Sequence, residues 1–261
     1  MPTRATAAQR LTDLSSAQVP ARVRGATLVW PIGGIEQHGP HLPLSVDLDI
    51  PEALAQETAA AIGAYLVPGQ PLSARSLPQS GGGLGHPGTV YIRGTVLVDY
   101  LRDAVGSLAA LEPACIVVVN GHYENEALLF EALDECRVAG VLGATEIIAF
   151  SWWSLVADDW IASRLPHFPG WHAEHAGVTE TSLMMYLRPD LVTGEKVEHD
   201  TPPRAGVYLH PIDEALASNG GALSSSTGAT PELGEDLFWH IVDAMGALIG
   251  NGHGLKRPDT V

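Results

Sequence analysis

The chain has 261 residues and a formal net charge of −16, from 14 Lys and Arg residues against 30 Asp and Glu residues. A chain this acidic is a poor candidate for binding nucleic acid or anionic lipid, because such binding depends on clustered cations. With 46% hydrophobic and 17% charged residues, it has the composition of a globular protein with a sizeable core rather than a disordered one.

The sequence predicts a cytoplasmic protein without membrane contact. It has no apolar run of about 18 residues, which a transmembrane helix requires, and its N-terminal segment lacks the apolar core of a signal peptide. Its two cysteines, Cys115 and Cys136, are too few for a disulfide framework and fit a reducing compartment.

Short apolar segments alternate with helical ones along most of the chain. Strands are predicted at 26–32, 64–68, near 90–92, at 115–119 and at 144–150, and helices at 48–63, 95–111, 125–138, 177–187 and 234–249. This alternation is typical of a parallel sheet with helices on both faces. We therefore predict an α/β fold, a layered α/β/α sandwich with a mostly parallel central sheet.

No linker poor in apolar residues divides the chain. We expect a single domain over 1–261, with 1–20 as an N-terminal arm and 251–261 as a C-terminal tail. The Gly-, Pro- and Ser-rich segments 72–94 and 200–232 are predicted to be loops.

Polar clusters follow two of the predicted strands, where ligands bind in open parallel sheets. Glu36 and His38 are two residues apart in the first cluster, and His122 and Glu124 repeat the spacing in reverse in the second. Residues i and i+2 of an extended segment point the same way. Asp47, just before a predicted helix, adds a third carboxylate.

These nitrogen and oxygen donors suit Zn²⁺ or Mn²⁺, and Asp47 could bridge two ions. Two dications, three carboxylates and one hydroxide sum to zero charge, so such a centre can be buried. A single pair of this kind is usually a surface coincidence, so the interpretation depends on both pairs meeting at one sheet edge. Asn120 and Gly121 also fit an ordinary strand-to-helix turn, with Asn125 capping the helix.

Four segments resemble the creatininase family, the creatinine amidohydrolases and their relatives, in the same order and at similar spacing. They are PIGGIEQHGPHLPLSVD (31–47), SGGGLGHPGT (80–89), NGHYEN (120–125) and EHAGVTETSLMMYLRPDLV (174–192). Within the family, NGHYEN and the pairing of GWHAEH (170–175) with SWW (151–153) are similar to the creatinine-hydrolysing members.

The resemblance implies a binuclear centre with two divalent ions, Zn and/or Mn. One ion would be held by Glu36, Asp47 and His122, and the other by His38, Asp47 and Glu124. The same match implies substrate contacts and a homohexamer. The contact residues are Ser80, Tyr123, Trp171, His172 and His175, with Trp153 as a wall of the pocket.

The implied activity is the reversible opening of the cyclic amide of creatinine to give creatine. In this hypothesis a metal-bridging hydroxide attacks the carbonyl, and His175 gives a proton to the leaving nitrogen, because imidazole titrates near the working pH. Glu124 and Glu174 complete the predicted catalytic set. Glu174 and Glu180 could orient histidine ligands, or could instead stabilise a helix N-terminus.

One position departs from the pattern, since His172 stands where creatinine-hydrolysing members have an acidic residue. Hydrolysis of another cyclic amide, a formamide or a peptide bond therefore stays open as a second function. A non-catalytic metal-binding or scaffold protein is the alternative from a different class, and the five intact ligands count against it. His86 could line the pocket or brace a loop, and His41 is predicted to be structural.

Overall fold

The computed structural model describes residues 7–80, 86–195, 197–199, 204–211 and 220–250. The predicted tail at 251–261 and parts of the predicted arm and loops lie outside the described residues. The strands are β1 Gln9–Arg10, β2 Thr27–Ile32, β3 Tyr65–Leu66, β4 Ser73–Ala74, β5 Tyr91–Ile92, β6 Cys115–Asn120 and β7 Glu146–Ser151. The helices are α1 Val19–Val23, α2 Val46–Ile62, α3 Gly94–Ala109, α4 Asn125–Val138, α5 Asp158–Arg164, α6 Val178–Leu187 and α7 Pro231–Gly250.

In the described part of the chain, five strands form a parallel sheet in the order β1-β3-β2-β6-β7, and β4 and β5 form a separate parallel pair. Strands β2 and β6 are buried along almost their whole length, which explains their continuous apolar sequences. The register places Ile32, Asn120 and Ser151 in one row at the carboxyl ends of β2, β6 and β7. The segments that follow these three strands therefore start from the same edge of the sheet.

Helices cover both faces of the sheet. Helices α2, α6 and α7 pack together on one face, against Val29 and Val117, while α3 and α4 pack together on the other, against Leu28 and Ile116. Neighbouring strand residues point to opposite faces, so each buried strand supplies both layers of the core. The predicted layered α/β sandwich with a parallel sheet is confirmed.

Several details differ from the predicted elements. The segment 9–10, expected to belong to an N-terminal arm, pairs with β3 as an edge strand. Helix α5, at 158–164, lies in a Trp- and His-rich stretch for which no helix was predicted. Helix α2 begins at Val46, so Asp47 lies in its first turn rather than before it. Among the described residues, no helix combines the length and apolar character needed to cross a membrane.

Candidate active site

Two glycines allow helix α2 to start directly against the strand ends. Gly33 follows β2 and Gly121 follows β6, and a Cβ atom on either would overlap the carbonyl oxygen of Asp47. That oxygen has no partner four residues along the helix, because Pro51 lacks an N–H group. The first turn of α2 therefore lies on the ends of both strands, and the Asp47 side chain reaches both polar clusters.

The chain after β6 is held by two asparagines. Asn120 donates to the backbone oxygen of His122 at 2.7 Å and accepts from its N–H at 3.1 Å. The turn interpretation expected Asn125 to cap α4, but its side chain does not do so. Its side chain instead accepts from the N–H of Ala74 at 2.9 Å and donates to the carbonyl of Gly33 at 3.1 Å. Both side chains thus fix loops around the site.

The three donors predicted for one ion lie together. Nδ1 of His122 is 2.9 Å from Oδ2 of Asp47 and 3.2 Å from Oε2 of Glu36. All three side chains are buried, and they form one group whose ligand atoms lie within 4.8 Å of one another. The Ser76 hydroxyl, which no sequence pattern marks, donates to the other oxygen of Glu36.

The donors around His38 differ from the predicted set. Nε2 of His38 is 3.1 Å from Oδ1 of Asp47 and 3.7 Å from Oε2 of Glu180, and these three form a second group within 4.8 Å. Glu124, expected in this group, lies beside His122. Its carboxylate is 3.4 Å from Nε2 of His122 and accepts a hydrogen bond from the Ser80 hydroxyl.

Backbone carbonyls set the tautomers of both histidines. The oxygen of Glu36 lies 3.1 Å from Nδ1 of His38, and the oxygen of Ala74 lies 3.1 Å from Nε2 of His122. A carbonyl only accepts, so these nitrogens carry the protons. The lone pair of each neutral ring then faces carboxylate oxygens, and Nε2 of His38 has no hydrogen-bond partner in the described part of the chain. Lone pairs and carboxylates that face one another in a buried site fit a bound cation.

In the metal-free site, Asp47 and the two histidines strongly shift one another's pKa values. Burial favours a higher pKa for Asp47, but His38 and His122 hold that pKa well below its ordinary value. Burial favours a lower pKa for the two histidines, but Asp47, together with Glu180 at His38 and Glu36 at His122, holds their pKa values well above the ordinary one. The metal-free site therefore binds protons where an ion would sit.

An aromatic wall closes one side of the site. Tyr123 and Trp153 stack with ring centroids 6.1 Å apart. The buried Trp152, predicted as a packing residue, lies edge-on to Trp153 at 5.5 Å and to Trp171 at 5.4 Å. All six predicted substrate contacts line one cavity together with Glu36, Asp47 and His122; they are Ser80, Tyr123, Trp153, Trp171, His172 and His175.

Glu174 stabilises the start of helix α6. One of its oxygens accepts from the N–H of Thr179 at 2.7 Å and from its hydroxyl at 2.6 Å, and the other accepts from Ser224 at 2.9 Å. Burial, and then the nearby Glu180, raise the pKa of Glu174 to about 7. Glu180 accepts from the N–H of Ala176 at 2.7 Å. Both carboxylates thus fit the helix N-terminus interpretation, and Glu180 in addition faces His38.

A family model for creatininase, described as creatinine amidohydrolase, matches residues 12–249. The chain belongs to the creatininase family. It is 36% identical to the creatinine amidohydrolase of Pseudomonas putida over 232 residues, which cover 85% of this chain and 89% of that relative. It is also 32% identical to a mycofactocin precursor peptide peptidase of Mycolicibacterium smegmatis over 220 residues, 82% of this chain and 80% of that one.

Solved structures of creatininase share the fold. A crystal structure of creatinine amidohydrolase (creatininase) matches with a TM-score of 0.86 and 34% identity, over 97% of this chain and 99% of that one. A mutant creatininase complexed with creatine and a manganese creatininase each match with a TM-score of 0.86 and 33% identity, over 94% of this chain and 98% of theirs. The predicted family and the predicted hydrolase class are confirmed, and the family includes peptidases as well as creatinine amidohydrolases.

Proposed function

We propose that this chain is a binuclear metal-dependent amidohydrolase that opens the cyclic amide of creatinine to creatine, and closes it in the reverse reaction. One observation carries the proposal: two carboxylate–imidazole clusters share Asp47 and face an aromatic cavity. The creatinine amidohydrolase of Pseudomonas putida and the creatine-bound mutant creatininase support the choice of substrate.

Two divalent ions, Zn and/or Mn, would fit the donor set, as the manganese creatininase supports. Glu36, Asp47 and His122 would hold one ion, and His38 and Asp47 would hold the other. Its third donor is either Glu124, as the family resemblance implies, or Glu180, whose oxygen lies near His38. Such ions polarise a carbonyl and supply hydroxide near neutral pH.

The side chains of this protein would bind and orient the substrate. Trp153 and Trp171 provide apolar faces against which a small flat ring can stack, and they exclude water from the reacting carbonyl. His175 lies beside His38, with ring centroids 4.3 Å apart, and so is placed to give a proton to the leaving nitrogen. Proton delivery of this kind contributes about 10²–10⁴-fold to rate.

Hydrolysis of another cyclic amide, a formamide or a peptide bond is the second candidate, and His172 favours it. This residue lines the cavity at the position where creatinine-hydrolysing members have an acidic residue. A change from a carboxylate to an imidazole alters which charged or hydrogen-bonding groups a substrate can present there. Peptide peptidases among the relatives show that the family accommodates such substrates.

The test measures metal content and activity on one sample of purified protein. Creatine formation from creatinine, with about two ions per chain, would support the proposal; a panel of cyclic amides, formamides and short peptides separates the second candidate. A fully metallated protein that forms no creatine would overturn the creatinine assignment. A homohexamer and a cytoplasmic location stay predictions, the first of which size-exclusion chromatography with light scattering checks.

A further inference from the structure

Gln37 stands between two predicted metal ligands in sequence, but its side chain reaches a different group. The amide nitrogen Nε2 lies 3.0 Å from Nε2 of His175 and 3.1 Å from the carbonyl oxygen of Gly221. The amide oxygen Oε1 accepts a hydrogen bond from the N–H of Gly39 at 3.0 Å. Gln37 and His175 are both buried, so these contacts form away from solvent.

Backbone groups of fixed polarity determine which way this amide points. The N–H of Gly39 can only donate and the carbonyl of Gly221 can only accept. Exchanging the oxygen and nitrogen of Gln37 would place two donors together at Gly39 and two acceptors together at Gly221. Both contacts would be lost in a buried site, so the NH₂ group is the one that faces His175.

The nitrogen of His175 that faces this NH₂ group must accept. A proton on Nε2 would point at an N–H donor, so the single proton of the neutral ring is on Nδ1. We propose that Gln37 is a positioning residue that holds His175 in the Nδ1–H tautomer. Any hydrogen bond that the neutral ring of His175 gives to a substrate then comes from Nδ1, and the ring can give up a proton only after it has taken one up.

The segment that follows residue 220 holds the pair in place. Gly221 has a φ of +95°, and a Cβ atom there would overlap the amide of Gln37. The N–H of Leu223 donates to the backbone oxygen of His175 at 3.0 Å. One short segment therefore fixes both the amide that sets the tautomer and the backbone of the histidine that receives it.

The tautomer can be measured directly by nitrogen NMR. Metal-loaded protein with ¹⁵N-labelled histidine would be examined, and the His175 signals would be identified by their loss in His175→Ala. We expect a protonated-type shift at Nδ1 and an unprotonated-type shift at Nε2. A protonated Nε2 in the wild-type protein would overturn the inference, whatever the variants do.

Two substitutions test the role of the amide. In Gln37→Glu the side chain has only acceptors, so we expect the proton to move to Nε2 of His175, with a loss of turnover on the order of 10²-fold. Gln37→Met removes both polar groups at similar length and should let the two tautomers mix. Metal content should stay at the wild-type value in both. An unchanged tautomer in Gln37→Glu would contradict the proposed role.

Thr89→Val is the matched control. The Thr89 hydroxyl accepts a hydrogen bond from the backbone N–H of Gln37 at 3.2 Å, so this change perturbs the same loop without touching the amide. We expect its tautomer and turnover to match the wild type; a tautomer change here would attribute the effect to loop position instead.

The link to turnover rests on the proposed function, whereas the NMR result does not. A correct tautomer without amidohydrolase activity would overturn only that function.

Discussion

At the residue scale, the site depends on which nitrogen of each histidine is free to bind. The sequence pointed to Glu36, His38, Asp47 and His122 as candidate metal ligands, because strand ends and the spacing of residue pairs are local features. It could not predict the tautomers, because these depend on carbonyl groups such as that of Ala74, which is 48 residues from His122 in the chain. The contact between Gln37 and His175 spans 138 residues and is marked by no local pattern.

Asp47 is the carboxylate that the Glu36–Asp47–His122 group and the His38–Asp47–Glu180 group share. We expect Asp47→Asn to lose both ions and nearly all amidohydrolase activity, because the amide lacks the charge that offsets two dications. Metal analysis and the creatinine assay check this. Asp49→Asn, in the same turn of the same helix, is the control and should keep its metal. An Asp47→Asn protein with about two ions per chain would show that Asp47 does not bridge.

The third donor to the ion at His38 can be decided by two conservative changes. We expect Glu180→Gln to lower the occupancy of one ion, because an oxygen of Glu180 lies 3.7 Å from Nε2 of His38. Glu124→Gln should keep its metal and lose turnover instead. Metal content of the two variants, measured after equal dialysis, checks this. The reverse pattern would favour the donor set that the family resemblance implies.

At the element scale, the alternating pattern predicted the main strands and helices because their apolar runs are continuous. The pattern failed for α5, whose residues 158–164 begin with two aspartates and show no clear apolar repeat. It also placed the start of α2 too late, because Asp49 and Pro51 resemble helix start signals. The true start, at Val46, depends on room made by glycines from other elements.

Gly33 is one of those glycines. In Gly33→Ala the new methyl group would meet the backbone oxygen and carbon of Asp47, which cannot move aside as a side chain can. We expect a loss of about 1–3 kcal/mol in the free energy of unfolding and weaker metal binding, measured by denaturant unfolding and metal titration. Gly106→Ala is the control, because a Cβ atom there would lie 3.8 Å from the nearest atom, Cγ2 of Val141. This change in helix α3 should instead raise the free energy of unfolding by about 0.5–1 kcal/mol. Equal metal affinity in Gly33→Ala and wild type would contradict the expected effect on α2.

The start of α6 should give the protein a pH-dependent stability. Burial raises the pKa of Glu174 from 4.5 to about 7, which corresponds to about 3 kcal/mol. A raised pKa means that the folded state binds the proton of Glu174 more tightly than the unfolded state does. The stabilisation that this proton gives is fully present below pH 4.5 and is lost as the pH rises through 7. Glu174→Gln keeps an acceptor for Thr179 and has no proton to lose, so its stability should not fall in this way.

We therefore expect Glu174→Gln to gain stability relative to the wild type between pH 5 and pH 8. Unfolding free energies at several pH values check this. The exposed Glu232→Gln, at the start of α7, is the control and should follow the wild-type curve. Parallel curves for Glu174→Gln and wild type would show that Glu174 does not titrate in this range.

At the scale of the whole molecule, the sheet gathers residues that are far apart in sequence. Parallel register brings the ends of β2, β6 and β7 to one edge, so the clusters at 36–38, 122–124 and 151–153 converge. The parallel sheet predicted this convergence for the first two clusters. Helix α6 adds Glu180 to these residues, and its position depends on packing against α2 and α7, which local sequence does not encode.

The acidic centre has a consequence for metal binding by the whole chain. In the metal-free protein, Asp47 and its neighbours hold the pKa values of His38 and His122 well above the ordinary one, so both rings bind protons near pH 7. An ion must displace those protons, because a ligating imidazole is neutral. We expect about two protons to be released per chain on full loading, and the apparent metal affinity to fall as pH decreases.

Calorimetric titration of the metal-free protein in two buffers with different ionisation enthalpies measures this release, with Thr89→Val as the folded control. Identical heats in both buffers at pH 7 would mean that the histidines are already neutral, and that the carboxylates around them are balanced by some other group.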